Sequence, residues 1–368
     1  MFEMGKLDKD IHQKEAAIRF CLVNSLIPFL EVNVQNYREL SDTTTLITDI
    51  DVLGVAFEAI GEPRKVIFDC KTLGKTSPIN RAFWARGLMA FTSSSEAFVI
   101  LRKRASEAHR LSAKQLNVHL FDEKQFTNYS ESCSLDFTVD YCYSTNIENW
   151  LVLDSCVQGN EQLGQFWEFI NGESPLEKDC VKGLRRLLAA LQKVRGELNP
   201  EKDKHKSIFF SALAIFSFLM SQIIHDLRNI VDFDSKPEMF EKILKYYIWG
   251  GKDSFVLRNK MTELFAAQNS SVNTLEPELR NWPDFIELTR KLLDSPSDIQ
   301  KCIHPIRELG FRCVIENNEE KDMHCSQIIS NNKRIRQFSI SMSKYIVSAI
   351  NLPREFIDIV NDSFDELR

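Results

Sequence analysis

Two short stretches decide how this chain of 368 residues folds: Thr48-Asp49-Ile50-Asp51-Val52-Leu53-Gly54 and Phe68-Asp69-Cys70-Lys71-Thr72. Each is an apolar run with charged interruptions, which is typical of a strand with one polar face. Because side chains alternate between the two faces of a strand, Asp69 and Lys71 share a face. We therefore predict a hairpin over residues 46–72 whose paired strands bring carboxylates and a lysine together.

The chemistry available to this hairpin is metal-assisted hydrolysis. Asp51 and Asp69 could hold one Mg²⁺, an ion that prefers oxygen ligands and keeps waters, one of which can become the nucleophile. Lys71 would lie beside the metal, orient or deprotonate that water, and offset charge on a pentavalent phosphate. The backbone carbonyl of Cys70 would be a further oxygen ligand. The pattern thus favours phosphodiester hydrolysis.

The first 130 residues alternate helix and strand signals. We predict a helix over 11–30 ended by Pro28, strands over 46–57 and 65–72, and a helix from Pro78 to Phe91. A strand over 97–101, a helix over 106–116 and a strand over 118–121 follow. This order predicts an α/β domain, a mixed sheet flanked by helices, over residues 1–132.

Residues 133–368 are predicted to be mostly helical. The helix patterns cover 160–170, 177–197, 207–230, 237–249, 253–267, 283–294, 298–308 and 333–349. The apolar stretch 208–224 reaches only about the lower limit of roughly 17 residues for a membrane span, and it contains four polar residues. We expect a buried helix of a soluble bundle there, with a membrane segment as the alternative.

We expect no secretory leader, because the first residues include the charged Lys6, Asp8, Lys9 and Asp10. Apolar residues make up 43% and charged residues 27%, and the nine cysteines show no CxxC pair, so we expect reduced thiols and a cytoplasmic location. The net charge of −6 argues against a nonspecific nucleic-acid coat. The charge is uneven, because residues 1–130 carry 17 Lys/Arg against 16 Asp/Glu, which permits a basic groove there.

A known family shares this arrangement. Asp51, then Asp69-Cys70-Lys71, then a helix carrying Arg81 and Trp84, then the strand Phe98-Val99-Ile100-Leu101 resembles the PD-(D/E)XK nuclease superfamily, and the order of elements continues to match through residue 121. The resemblance covers roughly residues 10–130. It implies a restriction-endonuclease-like fold for that part of the chain and nothing for the remainder.

The resemblance also implies roles for individual residues. Asp51 and Asp69 would bind the metal and Lys71 would be catalytic. A glutamate from the preceding helix often assists in this family, and Glu39 is the best-placed candidate, with Glu31 second. The chain departs from the family pattern in having Ile50 where a proline usually precedes the first aspartate, and Asp rather than the commoner Glu at position 69.

Basic residues near these motifs are candidates for nucleic-acid contacts. Arg81 and Arg86 lie on the helix after the Asp-Cys-Lys strand and could contact phosphate. The run Arg102-Lys103-Arg104 could touch a DNA backbone. The alternative for each is an ordinary solvated helix face or strand end.

Together these features predict an endonuclease that depends on Mg²⁺ or Mn²⁺ and cuts nucleic acid, DNA in the first instance. The helical region would serve recognition, regulation or assembly, through a protein partner or a second copy and without a membrane. A role in antiviral genome defence, restriction or repair follows only by analogy with the fold. The alternative is a catalytically inert nuclease fold that serves as a nucleic-acid-binding or protein-interaction platform.

Overall fold

The computed structural model describes residues 10–36, 43–57, 62–71, 77–232, 234, 236–268 and 278–367. The chain divides into two compact units. The first, here the sheet unit, consists of Met1–Leu176 and Arg307–Ile328, with Leu367. The second, the helical unit, consists of Glu177–Ile306 and Ile329–Glu366. The candidate site lies in the sheet unit.

A five-stranded mixed sheet forms the centre of the sheet unit, with spatial order β1-β2-β3-β4-β5. The first three strands pair antiparallel, and β3 with β4 and β4 with β5 pair parallel. The strands are β1 (Ile27–Gln35), β2 (Leu46–Ala56), β3 (Arg64–Lys71), β4 (Glu96–Leu101) and β5 (Val118–Asp122). The two parallel pairs are joined through helices, as parallel neighbours require.

Helices flank this sheet and cover its apolar residues. They are α1 (Ile11–Val23), α2 (Pro78–Thr92), α3 (Glu107–Lys114), α4 (Glu123–Cys133), α5 (Ile147–Ser155) and α6 (Glu161–Glu168). Phe20 of α1 and Phe126 of α4 pack against Phe68 and Phe98 of the sheet, with ring centroids 5.4–6.3 Å apart. These aromatic contacts anchor α1 and α4 on one face of β3 and β4.

The N-terminal order differs from the predicted one at one element. The predicted helix over 11–30 ends at Val23, and Ile27–Gln35 forms β1 instead. Pro28 does not end a helix here; it lies in β1, which is an edge strand of the described sheet. An edge strand tolerates proline because one side of its backbone needs no ladder partner. The predicted hairpin is therefore the second half of a three-stranded antiparallel meander.

The remaining helices are α7 (Cys180–Val194), α8 (Asp203–Ile230), α9 (Pro237–Ile248), α10 (Lys252–Gln268), α11 (Trp282–Leu293), α12 (Pro296–Arg312), α13 (Glu319–Asn331), α14 (Lys333–Ile350) and α15 (Glu355–Glu366). They confirm that the C-terminal region is helical. The sequence did not predict α5, α13 or α15. Among the described residues one helix, α8, is long and apolar enough to cross a membrane, and 94% of its most apolar window is buried.

The two units do not follow the predicted division into residues 1–132 and 133–368. Residues 133–176, with α5 and α6, belong to the sheet unit, and so do Arg307–Ile328. Buried polar contacts hold this later segment to the earlier chain: Glu308 accepts hydrogen bonds from the backbone N–H groups of Tyr143 and Ser144. Sequence periodicity marks helices but carries no information on such distant pairings.

Candidate active site

Asp51 is held where β2 and β3 stop pairing. The β2–β3 ladder runs from Ala56↔Arg64 to Val52↔Phe68, which places Asp51 across from Asp69. Beyond that point the backbone N–H of Cys70 donates to Asp51 Oδ2 at 2.7 Å. The carboxylate thus takes the place of a ladder acceptor, and its orientation is fixed by the backbone of the neighbouring strand.

Lys71 joins the two predicted carboxylates. Its Nζ lies 3.2 Å from Asp51 Oδ2 and 3.6 Å from Asp69 Oδ1. The two aspartates are almost fully buried, at 8% and 3% exposure, whereas the Lys71 side chain is 36% exposed. The structure therefore brings Asp51, Asp69 and Lys71 together, with oxygen atoms of both acids within reach of one cationic group.

Arg81 completes this cluster from α2. Its Nε donates to Asp69 Oδ2 at 2.5 Å and its Nη2 donates to Asp69 Oδ1, so the two side chains form a bidentate ion pair. The guanidinium carbon also lies 3.6 Å from the ring centroid of Trp84, one turn along the same helix. The sequence suggested Arg81 as a phosphate contact, but here its fork is directed at a site carboxylate and is steadied by stacking.

A second ion pair lies beside the cluster and was not predicted. Lys14 of α1 is 1% exposed, and its Nζ lies 2.5 Å from Glu31 Oε1. Glu31 stands between the ladder pairs Leu30↔Val52 and Val32↔Ile50, across from Asp51. Its φ of 50° is in the left-handed region, which non-glycine residues seldom adopt and which is found at functional sites more often than elsewhere.

Burial and like charges shift the proton affinities of these acids. Burial raises the pKa of Glu31 to about 7, with Lys14 opposing and the charges of Asp51 and Asp49 adding to the rise. Burial also raises the pKa of Asp51, against Lys71 and with the help of Asp69. For Lys71, burial lowers the pKa, but Asp51 and Asp69 together outweigh it and the net shift is upward.

These residues fit a divalent metal by donor chemistry. Two carboxylates that approach a single ammonium nitrogen present hard oxygens to one point, which suits Mg²⁺ or Mn²⁺. Each carboxylate offers about four lone-pair sites, so Asp69 can accept the Arg81 fork and still offer an oxygen to a cation. A divalent ion would also favour the charged forms of Asp51 and Glu31, whose pKa values are raised by burial and, to a smaller extent, by neighbouring carboxylates.

The other predicted site residues fall into three groups. Glu39 lies outside the described residues, whereas Glu31, the second glutamate candidate, lies beside Asp51. The Cys70 thiol is buried, and the metal role of its carbonyl stays a prediction. The basic candidates Arg86, Arg102, Lys103 and Arg104 are all exposed.

Sequence patterns missed a polar cluster in the helical unit as well. Tyr247 donates its hydroxyl hydrogen to Asp226 Oδ2 at 2.7 Å, and the Cys180 thiol lies 3.5 Å from the same hydroxyl. These side chains line a cavity of about 590 Å³. Burial raises the pKa of Cys180 to about 12, so the thiol is protonated at neutral pH and is a poor nucleophile.

Comparison with known proteins adds no relative. No family model, no curated protein and no solved structure matches this chain.

Proposed function

We propose that the sheet unit is a metal-dependent nuclease of the PD-(D/E)XK type. The observation that carries this proposal is the convergence of Asp51, Asp69 and Lys71 at the point where β2 and β3 part. Burying two acids beside a lysine costs free energy, because their desolvation and mutual repulsion must be offset. A purely structural role does not account for that cost. A site that works on a charged substrate through a cation explains why they are kept together.

Asp51 and Asp69 would hold Mg²⁺ or Mn²⁺, and Glu31 would assist them. The ion would supply a polarised water and charge compensation at the phosphate. Asp51 needs no reorganisation for this role, because the Cys70 N–H already fixes its carboxylate. Asp69 is oriented in the same way by the fork of Arg81. Preorganised groups of this kind are what electrostatic catalysis requires.

Lys71 has a defined role in this scheme. Because its pKa is raised, it carries a positive charge at neutral pH. It is therefore suited to orient water and to stabilise negative charge on the phosphate rather than to remove a proton. Its partial exposure keeps it accessible to a substrate, unlike the two buried aspartates.

One observation favours the second candidate, an inert nuclease fold that binds nucleic acid or protein without cutting. The acids are already neutralised within the protein, since Lys71 bridges them and Arg81 takes both oxygens of Asp69. Such internal compensation could stand in place of a metal. Metal-dependent cleavage separates the two candidates.

The test is incubation of the full chain with plasmid DNA, single-stranded DNA and RNA in Mg²⁺, Mn²⁺ or EDTA. We expect cleavage with a divalent ion, and a loss of at least about 100-fold in Asp51→Asn, Asp69→Asn and Lys71→Met. Asp136→Asn and Lys65→Met, which alter an exposed aspartate and a lysine at the other end of β3, should retain wild-type activity. Absence of cleavage by the wild type under every condition would favour the inert fold.

A further inference from the structure

The outer face of α2 carries an unusual set of side chains for a solvent-facing helix surface. Ala82, Ala85, Leu88 and Met89 are buried against the sheet unit. On the opposite side, Phe83 is 58% exposed and Phe91 is 49% exposed. Two phenylalanine rings that remain largely in water cost free energy and need an explanation.

The two rings lie about 80° apart around the helix axis, with Gly87 between them. Phe83, Gly87 and Phe91 are spaced four residues apart, so they form a stripe about 12 Å long at a rise of about 1.5 Å per residue. Gly87 contributes no side chain, and a Cβ built there would meet nothing within 4 Å. The space directly above Gly87 is therefore open.

The helix that carries the stripe has positively charged residues and no negatively charged ones. The sequence of α2, PINRAFWARGLMAFT, contains two arginines and no acidic residue. Arg86 is exposed next to Gly87, and Arg81 at the start of the helix contacts Asp69 of the candidate site. An acid-free helix with arginine beside exposed aromatic rings is complementary to a polyanion that also carries flat apolar groups.

We infer that the Phe83–Gly87–Phe91 stripe, on the outer face of α2, is a stacking platform for single-stranded nucleic acid. Unpaired bases present their faces to aromatic rings, whereas bases in a duplex bury those faces in their own stack. Phenylalanine has no hydrogen-bonding group, so the contact is tolerant of sequence. Arg86 would contact the backbone phosphates. This inference rests on the proposed function and narrows its substrate to single strands.

The test measures binding rather than cleavage. Full-length protein is titrated into a fluorescent 20-nucleotide oligo(dT) in EDTA, and anisotropy gives the affinity. We expect Phe83→Ala and Phe91→Ala each to weaken binding about tenfold, within the range for loss of one stacked base. Phe83→Trp should retain the affinity. Leu135→Ala, which removes another exposed apolar side chain of the sheet unit, should leave it unchanged.

A duplex of the same length supplies the second comparison. It should bind more weakly than the single strand, and its affinity should not respond to either alanine substitution. Equal affinity of the wild type for single strand and duplex, or wild-type binding by both alanine variants, would overturn the platform. A stripe that instead joins two copies of the chain would show as a lower solution mass in the alanine variants with unchanged oligonucleotide binding.

This design keeps the two proposals apart. Binding that depends on Phe83 and Phe91, together with no cleavage in Mg²⁺ or Mn²⁺, would support the platform and reject the nuclease. Cleavage that depends on Asp69 but is indifferent to both phenylalanines would support the nuclease and reject the platform.

Discussion

The buried serines of α8 in the helical unit and the buried charges of the sheet unit are satisfied by opposite means. In α8, the buried serines Ser211, Ser217 and Ser221 each donate to the carbonyl oxygen four residues earlier, at 2.8–3.0 Å. In the sheet unit, the buried charges depend on partners from other elements, as in Lys14 with Glu31 and Asp69 with Arg81.

The difference teaches where function can be built. A hydroxyl that bonds within its own helix is neutral, local and insensitive to pH, so it contributes little beyond filling space. Burying charges on separate elements costs free energy unless each charge keeps its partner, and the resulting stability depends on pH. Such an arrangement stores a strong local field that can act on a charged ligand. Single substitutions should therefore behave differently in the two units.

The largest effect is expected at Lys14. In Lys14→Met, the ion pair with Glu31 is lost and a buried carboxylate is left uncompensated, which should cost about 3 kcal/mol of unfolding free energy at pH 8. At pH 5, below the pKa of about 7 of Glu31, the acid is protonated, and the cost should fall below about 1 kcal/mol. Urea unfolding at both pH values measures this difference.

Lys124→Met, at an exposed position of α4, is the control for loss of a lysine and should change stability by less than about 0.5 kcal/mol at either pH. An equal loss for Lys14→Met at pH 5 and pH 8 would show that packing of the lysine stem, not the ion pair, sets its contribution.

The sequence predicted the elements of the site better than their environment. β2, β3 and α2 follow from local periodicity and from Pro78 at a helix start. Strand alternation puts Asp69 and Lys71 on one face, and the pairing of β2 with β3 as a hairpin brings Asp51 to the same place. These inferences need no knowledge of the rest of the chain, which is why they could be made.

The parts that the sequence did not predict depend on tertiary context. β1 was missed because Pro28 marks a helix end in most settings, and only its place at a sheet edge makes it acceptable in a strand. The left-handed backbone of Glu31 and its pairing with Lys14 arise from packing between α1 and the sheet. No spacing rule links residues 14 and 31 in the sequence.

A comparable effect is expected from a variant in which position 31 can no longer titrate. Burial raises its pKa from 4.5 to about 7, so the folded protein holds this proton more tightly than the unfolded chain. The associated stability is present below about pH 4.5 and is lost as the pH rises to about 7. Relative to Glu31→Gln, the wild type should therefore lose about 3 kcal/mol between pH 4.5 and pH 8.

The comparison uses the change with pH, not the absolute stability, because Glu31→Gln also alters the surroundings of Lys14. Glu131→Gln, at an exposed position of α4, is the control. Its unfolding free energy should change with pH in the same way as that of the wild type across this range. Parallel curves for Glu31→Gln and the wild type would mean that Glu31 is not the group that titrates in this window.

The smallest effect is expected in the helical unit, at Ser217. Its hydroxyl donates to the carbonyl oxygen of Leu213 at 2.8 Å, its oxygen lies 3.5 Å from Met342 Sδ, and its side chain is fully buried. In Ser217→Ala, that carbonyl keeps its backbone partner in the helix, so it is not left without a hydrogen bond. Alanine also has the higher helix propensity, which offsets the lost hydrogen bond. Unfolding free energy should thus change by less than about 1 kcal/mol, equally at pH 5 and pH 8. A loss above about 2 kcal/mol, or one that varies with pH, would show that this hydroxyl takes part in a wider polar network and that the contrast between the two units is weaker than their geometry indicates.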